Sequence, residues 1–239
     1  MNAGHLIEIV GTLNAPYLPS LPEGAPRCSV SFTARVGETQ RTFALHSAQC
    51  SGSPIPFRMM LDRQSLADVP ELILEARCTV GTLQDDVLAR HVQSLTIDDL
   101  AQMDALDLNL EAVDPTSEPA GKHPVAPQVI PLRGNVTIPA ALRQPQAFLD
   151  VTLLLIQDDG YSNRYSSNIA EHSLLVTGDG APFTLYIDSA TVPDGQSVKL
   201  HIGLYDLERK RIFAGHVFKN LDLSNPPDLS EIVLKAPRH

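Results

Sequence analysis

The 239-residue chain is 43% hydrophobic and 19% charged, and its formal net charge at pH 7 is −10. An acidic chain without a cluster of basic residues is poorly suited to bind nucleic acid or an anionic membrane surface. No apolar run in it approaches the ~20 residues that a transmembrane helix needs. The composition therefore favours a globular protein without a nucleic-acid partner and without a transmembrane segment.

The first half of the chain contains apolar segments with the period of β-strands. The first predicted strand, 6–13, has a glycine near its centre, Gly11, which suggests a bulge or the close approach of another backbone. Residues 98–106 carry apolar side chains at helical spacing and predict a helical turn. The other predicted strands of this half are 28–34, 45–50, 55–62, 72–78, 87–92 and 108–112.

The second half repeats the first. Segments 55–62 and 181–188 share Pro-Phe, then apolar residues at every second position, then a final Asp. Their phenylalanines, Phe57 and Phe183, stand 126 residues apart. The other predicted strands recur near that offset, at 129–136, 149–155, 171–176, 198–204, 212–217 and 232–236.

About seven short strands per half, separated by turn signals, are typical of an immunoglobulin-like sandwich. We therefore predict an all-β chain of two tandem immunoglobulin-like β-sandwich domains with similar topology. The first domain covers residues 1–112 and the second covers residues 128–239. Residues 113–127 are rich in proline and polar side chains, which is typical of a linker.

Two predicted strands are candidates for partner-binding edges of the sheets. Pro131 lies within the strand that opens the second repeat, and proline in a strand is largely confined to edges and strand starts. The strand that opens the first repeat aligns with it. We also consider a tyrosine patch in the second repeat, because tyrosine packs and hydrogen-bonds at once; packing in a core or at an edge is the alternative for these rings. The candidate partner-binding residues are Ile7, Ile9, Ile130, Leu132, Tyr161 and Tyr165.

The three cysteines, Cys28, Cys50 and Cys78, all lie in the first repeat. The repeat aligns them with Leu149, Val176 and Leu204, so each stands where the second repeat has an aliphatic residue. Because a buried cysteine behaves as a small hydrophobic residue, packing is the favoured interpretation. A disulfide in an oxidising compartment is an alternative, and so is metal binding, although no Cys-x-x-Cys spacing occurs.

Two histidine positions also recur, His46 with His172 and His91 with His216. Paired imidazoles could act as metal ligands or as pH-sensitive groups, but duplication alone accounts for the recurrence. The sequence has no nucleophile elbow, phosphate loop, dinucleotide fingerprint or EF-hand loop. We therefore expect no enzymatic activity, no cofactor and no metal site.

The repeat resembles the YbaY/YscW family of small bacterial lipoproteins, which includes chaperone-like pilotins of type III secretion. The resemblance covers nearly the whole chain outside the linker. It rests on Leu-Pro-Glu-Gly-Ala at 21–25, Pro-Ile-Pro-Phe at 54–57, Ala-Pro-Phe at 181–183 and Arg-Ile-Phe at 211–213. Typical members are single domains behind a lipobox cysteine, whereas this sequence has two repeats and no lipobox.

The resemblance implies a location in the bacterial cell envelope or periplasm. Residues 1–6 lack the features of a secretory signal, and this favours the cytoplasm as the alternative. The expected function is a non-enzymatic protein-binding module, such as a pilotin-like chaperone or docking factor for a secretion or envelope assembly. Open sheet edges would take a strand from the protein partner. The alternatives are a structural or self-associating envelope protein and a carbohydrate- or ligand-binding accessory module.

Overall fold

The computed structural model describes residues 5–16, 26–80, 87–102, 104–113, 125–158, 164–193 and 195–237. Within these ranges nearly all of the regular secondary structure is strand, which confirms the all-β prediction. The one α-helix among them, α1 (Ile97–Gln102), lies in the segment for which the sequence predicts a helical turn. Thr96 and Asp99 cap its start, since each side chain accepts a backbone N–H from the other residue.

The first half contains eight strands in the described residues. They are β1 (Leu6–Asn14), β2 (Arg27–Val36), β3 (Thr39–Gln49), β4 (Ile55–Asp62), β5 (Leu72–Thr79), β6 (Val87–Leu95), β7 (Leu106–Asn109) and β8 (Glu111–Ala112). The second half contains seven. They are β9 (Val129–Thr137), β10 (Ala147–Asp158), β11 (Arg164–Val176), β12 (Gly180–Asp188), β13 (Ser197–Tyr205), β14 (Ile212–Leu221) and β15 (Ile232–Val233).

Both halves arrange their strands in the same order. A small sheet has the order β4-β1-β7 in the first half and β12-β9-β15 in the second. Each small sheet packs its buried face on a larger one, ordered β3-β2-β5-β6-β8 in the first half and β11-β10-β13-β14 in the second. The shared order agrees with a duplicated sandwich of similar topology.

The two halves are joined through their larger sheets. Strand β3 pairs antiparallel with β11, so that a single nine-stranded sheet runs from β14 to β8. In this ladder His46 lies opposite His172, Ser47 opposite Glu171, and Leu45 opposite Ser173. Because His46 and His172 are equivalent positions of the repeat, the contact is self-complementary, as in a two-fold symmetric dimer. The division into two domains around 113–127 stays a prediction, since residues 114–124 lie outside the described ranges.

The repeated Pro-Phe strand packs on a glycine of its neighbour. Phe57 pairs with Gly11 in the β1–β4 ladder, and Phe183 pairs with Gly134 in the β9–β12 ladder. A Cβ on Gly11 would stand 2.2 Å from the Leu106 carbonyl oxygen and 2.6 Å from the Phe57 ring. A Cβ on Gly134 would stand 2.4 Å from the Phe183 ring. The close backbone approach predicted at Gly11 is therefore confirmed, and the aromatic ring covers the space that the missing side chain leaves.

Candidate functional site

The strands proposed as sheet edges are the middle strands of their small sheets, so that prediction is wrong. Strand β1 has β4 on one side and β7 on the other, and β9 lies between β12 and β15. The parallel strands β7 and β15 return from the end of each half, and no local sequence signal reveals that pairing. Proline is tolerated at Pro131 because β15 pairs only with Val136 and Thr137 of β9.

The candidate side chains of those strands pack in or against the hydrophobic core and do not form an exposed surface for a partner. Ile7, Ile9 and Leu132 are 6%, 3% and 2% exposed, and Ile130 is partly buried against the core. Tyr161 lies outside the described residues. Tyr165 belongs to β11 and lies opposite Gln157 of β10, but its side chain falls outside the description. The structure thus leaves the proposed tyrosine patch a prediction.

The first free edge lies at the β8 end of the nine-stranded sheet, where β6 continues past the two-residue strand β8. Strand β8 pairs only with Ala89 and Arg90, and Val113 N–H donates to the Leu88 carbonyl oxygen. Residues two apart in a strand direct their backbone groups to the same side. Counted from Arg90, which faces β8, Val92 and Ser94 therefore direct their N–H and C=O groups away from β5. Among the described residues no strand meets them there. The Val92 side chain is 49% exposed.

The second free edge is the opposite end of the sheet, at β14. Gly215 exchanges two backbone hydrogen bonds with Lys235, at 2.8 and 3.2 Å, and this isolated bridge is the only pairing beyond β14 in the described part of the chain. By the same alternation, Val217 directs its N–H and C=O outward beyond the bridge. Its side chain is 42% exposed. Val217 corresponds to Val92 in the repeat, so the two ends of the sheet are built alike.

The two ends differ in the side chains beside the exposed valine. At the first end Arg90 and Arg77 both pair with Glu75, with N–O distances of 2.6 and 2.5 Å. At the second end the His216 ring packs on Phe218, with centroids 4.5 Å apart. Ion pairs therefore flank the exposed valine at the first end, and an aromatic contact flanks it at the second. The outward-directed backbone is the same at both ends, but the neighbouring side chains differ.

Two aspartates, one from each half, make equivalent hydrogen bonds across the junction between the halves; we call them the reciprocal carboxylates. Asp62 accepts hydrogen bonds from the N–H and hydroxyl of Thr177, both at 2.7 Å. Asp188 accepts the equivalent pair from the N–H and hydroxyl of Ser51, both at 2.6 Å. These are the aspartates that end the repeated Pro-Phe strand. Each half thus holds a residue at the start of a loop of the other half, and both carboxylates are almost fully buried.

The paired histidines lie in the middle of this junction. His46 and His172 are each 1% exposed, and their ring nitrogens have no hydrogen-bond partner among the described residues. Burial lowers the pKa of His46 to about 3, with a further contribution from His172, and burial lowers the pKa of His172 to about 4. The Tyr186 ring meets His46 edge-on. Both imidazoles are therefore neutral at pH 7. They pack as uncharged rings that can take up a proton at low pH.

No constellation for catalysis emerges from the described residues. They contain no group of three or more histidine, cysteine, aspartate or glutamate side chains placed to hold a metal ion. An open groove of about 530 Å³ lies beside the ends of β13 and β14. Asp222 is its one titratable lining residue within the described ranges. None of the helices described has the length and hydropathy to cross a bilayer.

Comparisons with known proteins give little guidance. No family model matches the chain, and no curated protein matches it. Among solved structures, a candidate adhesin from Bacteroides ovatus aligns over 98% of this chain and 94% of its own, with 10% identity and a TM-score of 0.26. The shaft pilin spaA from Lactobacillus rhamnosus GG aligns over 97% of each chain, with 9% identity and a TM-score of 0.23. Scores this low carry no argument about fold or function.

Proposed function

We propose that the chain is a protein-binding module without catalytic chemistry, which takes an extended strand of a partner at the free ends of its nine-stranded sheet. The observation that carries this proposal is the outward-directed backbone at Val92 and Val217, beyond the strand β8 that covers part of β6 and the single Lys235 bridge that covers part of β14. A partner strand would complete the ladder there by strand addition.

The side chains at each end add selectivity to these backbone bonds. The exposed valines offer an apolar contact at the first outward-directed position past each covered segment. A bound strand with alternating apolar residues would place one of them against Val92 or Val217, because residues two apart share a face. Two equivalent ends allow two strands to bind per chain, which raises the apparent affinity if one partner spans both.

The biological role within this proposal is a pilotin-like escort or docking factor for an envelope or secretion assembly. Its support is the sequence resemblance at the Pro-Phe and Leu-Pro-Glu-Gly-Ala motifs, which also supports a location in the cell envelope. The competing role is self-association, in which the free end of one copy pairs with the free end of another. Both roles use the same backbone groups. They differ in whether the bound strand comes from another protein or from a second copy of this chain.

Proline substitutions test the proposal. Val92→Pro combined with Val217→Pro removes one outward N–H at each end, and edge strands tolerate proline at such positions. A displayed library of short peptides is panned on the intact chain, and the peptides recovered are measured against the variants. We expect the double proline variant to lose affinity by about tenfold or more, with a melting temperature close to that of the parent. Val92→Thr with Val217→Thr keeps the backbone donors and should retain binding.

The same samples distinguish the two roles. Sedimentation of the parent chain shows whether copies associate through these ends. A monomer that binds peptides supports the escort role, and an oligomer dispersed by the proline variant supports self-association. Binding that is unchanged in the double proline variant, in a chain that does not associate, would overturn strand addition as the mode of action.

A further inference from the structure

The three cysteines of the first half form one buried cluster. Cys28 lies on β2, directly opposite Cys78 of β5, and Cys50 follows the end of β3. The Sγ atoms of Cys50 and Cys28 are 3.3 Å apart. All three side chains are at most 1% exposed, and all three thiols are free. The burial agrees with the predicted packing role, but the sulfur contact goes beyond what packing requires.

The backbone holds Cys28 and Cys50 firmly in this arrangement. The Cys50 N–H donates to the Pro26 carbonyl oxygen at 2.8 Å, which continues the β2–β3 ladder by one pair past Arg27 and Gln49. A covalent bond of about 2.0 Å would need the two sulfurs to approach by only about 1.3 Å. Cys50 lies two residues past Ala48, the ladder partner of Cys28, so the two side chains are diagonal neighbours on one face.

The second half shows that thiols are not needed for the fold at these positions. Leu149 lies opposite Leu204 in the β10–β13 ladder, just as Cys28 lies opposite Cys78. Val176, the counterpart of Cys50, is also buried. Aliphatic side chains therefore fill the same three contacting positions in an equivalent core. Cysteine at all three positions of one half adds chemistry that packing does not demand.

We propose that Cys28 and Cys50 are a disulfide-forming pair, oxidised by a disulfide-bearing reagent such as oxidised glutathione or a thiol–disulfide oxidoreductase. One thiolate of the pair attacks the disulfide of the oxidant and releases one reduced thiol. The second thiolate then attacks the mixed disulfide, forms the Cys28–Cys50 bond and releases the other thiol. The two protein thiols lose their protons to solvent, and the two electrons reduce the oxidant. Cys78 remains a free thiol beside the bond.

Burial determines when this reaction takes place. Since both sulfurs are closed off from solvent in the folded chain, the oxidant reaches them during folding or through local opening of the first half. Contacts with the Cys50 and Cys78 thiols, together with burial, also raise the pKa of Cys28, which slows its reaction in the closed state. The bond, once formed, is enclosed by the same core and protected from reductants.

Refolding the intact chain in a glutathione redox buffer tests the inference. We expect free thiols to fall from three to one, the intact mass to fall by about 2 Da, and peptide mapping to identify a Cys28–Cys50 crosslink. The melting temperature should rise by roughly 5 °C relative to the reduced chain, because the crosslink closes a loop. Cys78→Ser is the matched control and should still form the bond with the same rise.

Cys50→Ser removes one partner of the pair and should leave two free thiols and no rise in melting temperature. Three free thiols in the folded parent after this treatment would overturn the inference. A crosslink that maps to Cys28–Cys78 or to Cys50–Cys78 would also overturn it. Because the readouts are mass and thiol count rather than binding, they are independent of the function proposed for the sheet ends.

Discussion

The two halves of this chain share their strand order but differ in what fills equivalent positions. Both have a glycine under a phenylalanine, an aspartate that reaches into the other half, and a buried histidine at the shared ladder. Only the first half has a thiol cluster, where the second has Leu149, Val176 and Leu204. Features kept by both halves are the ones that the sandwich and its junction require. A feature found in one half alone points to a separate role.

The largest expected effect is the pH dependence of the junction. His46 and His172 have pKa values of about 3 and 4 in the folded chain, below the value of about 6.5 in an unfolded one. The unfolded state therefore binds more protons as the pH falls below 6.5, so stability is full above that pH and declines towards pH 4. We expect the free energy of unfolding to fall by about 4 kcal/mol between pH 7.5 and pH 5.

Urea unfolding at several pH values measures this loss. Replacing both residues, as His46→Leu with His172→Leu, should remove most of the slope between pH 7.5 and pH 5. His216→Gln leaves both buried imidazoles in place and is the control. A slope that persists unchanged in the double leucine variant would show that other groups carry the pH dependence.

The reciprocal carboxylates should contribute nearly equally to stability. Asp62→Ala leaves the Thr177 N–H without its acceptor, and Asp188→Ala does the same to the Ser51 N–H. Each loss of a charged acceptor for buried donors should cost about 3 kcal/mol. Asp222→Ala, an exposed aspartate that caps only its own turn, should cost less than about 1 kcal/mol. Costs that differ several-fold between Asp62 and Asp188 would contradict the two-fold character of the junction.

Alanine substitutions at the glycines beneath the aromatic rings should reveal a smaller difference in stability between the two halves. Gly11→Ala and Gly134→Ala should each destabilise the chain by about 2 kcal/mol, because a methyl group would overlap a phenylalanine ring. At Gly134 the ring is the main obstacle, so adding Phe183→Leu should recover part of the loss. At Gly11 the Leu106 carbonyl oxygen stands in the way as well, and Phe57→Leu should recover less. Chemical denaturation of the four variants measures the difference.

The sequence predicts what is encoded within each strand, and it misses pairings between distant strands. Alternating apolar residues locate the strands, and Gly11 reveals a close backbone approach. The pairing of β7 with β1 depends on segments about 95 residues apart, and short strands of this kind carry little periodicity. The β3–β11 ladder is equally hidden, since a strand at a sheet edge and a strand within a sheet can have the same pattern.

The dependence on pairing between distant strands also explains why the sequence misidentifies the free edges of the sheet. Pro131 in the sequence predicts that the strands opening each repeat are sheet edges, but both are covered by strands that return from the end of each half. The free backbone lies instead on β14 and on the part of β6 that continues past the two-residue strand β8. Their signal in the sequence is the pair of exposed valines, Val92 and Val217, which occupy equivalent positions of the repeat, each directly after a histidine. That signal becomes interpretable only once the short lengths of β8 and of the Lys235 bridge are known.

Amide hydrogen exchange on the chain without a partner directly tests whether both ends of the nine-stranded sheet are open. If both ends of the nine-stranded sheet are open, the Val92 and Val217 amides exchange rapidly, while the Ala76 and Ile202 amides in the neighbouring strands exchange slowly. Fast exchange at both valines, with slow exchange at the two interior positions, is the predicted result. Protection of Val92 and Val217 equal to that of Ala76 and Ile202 would show that the ends are covered and would contradict binding by strand addition.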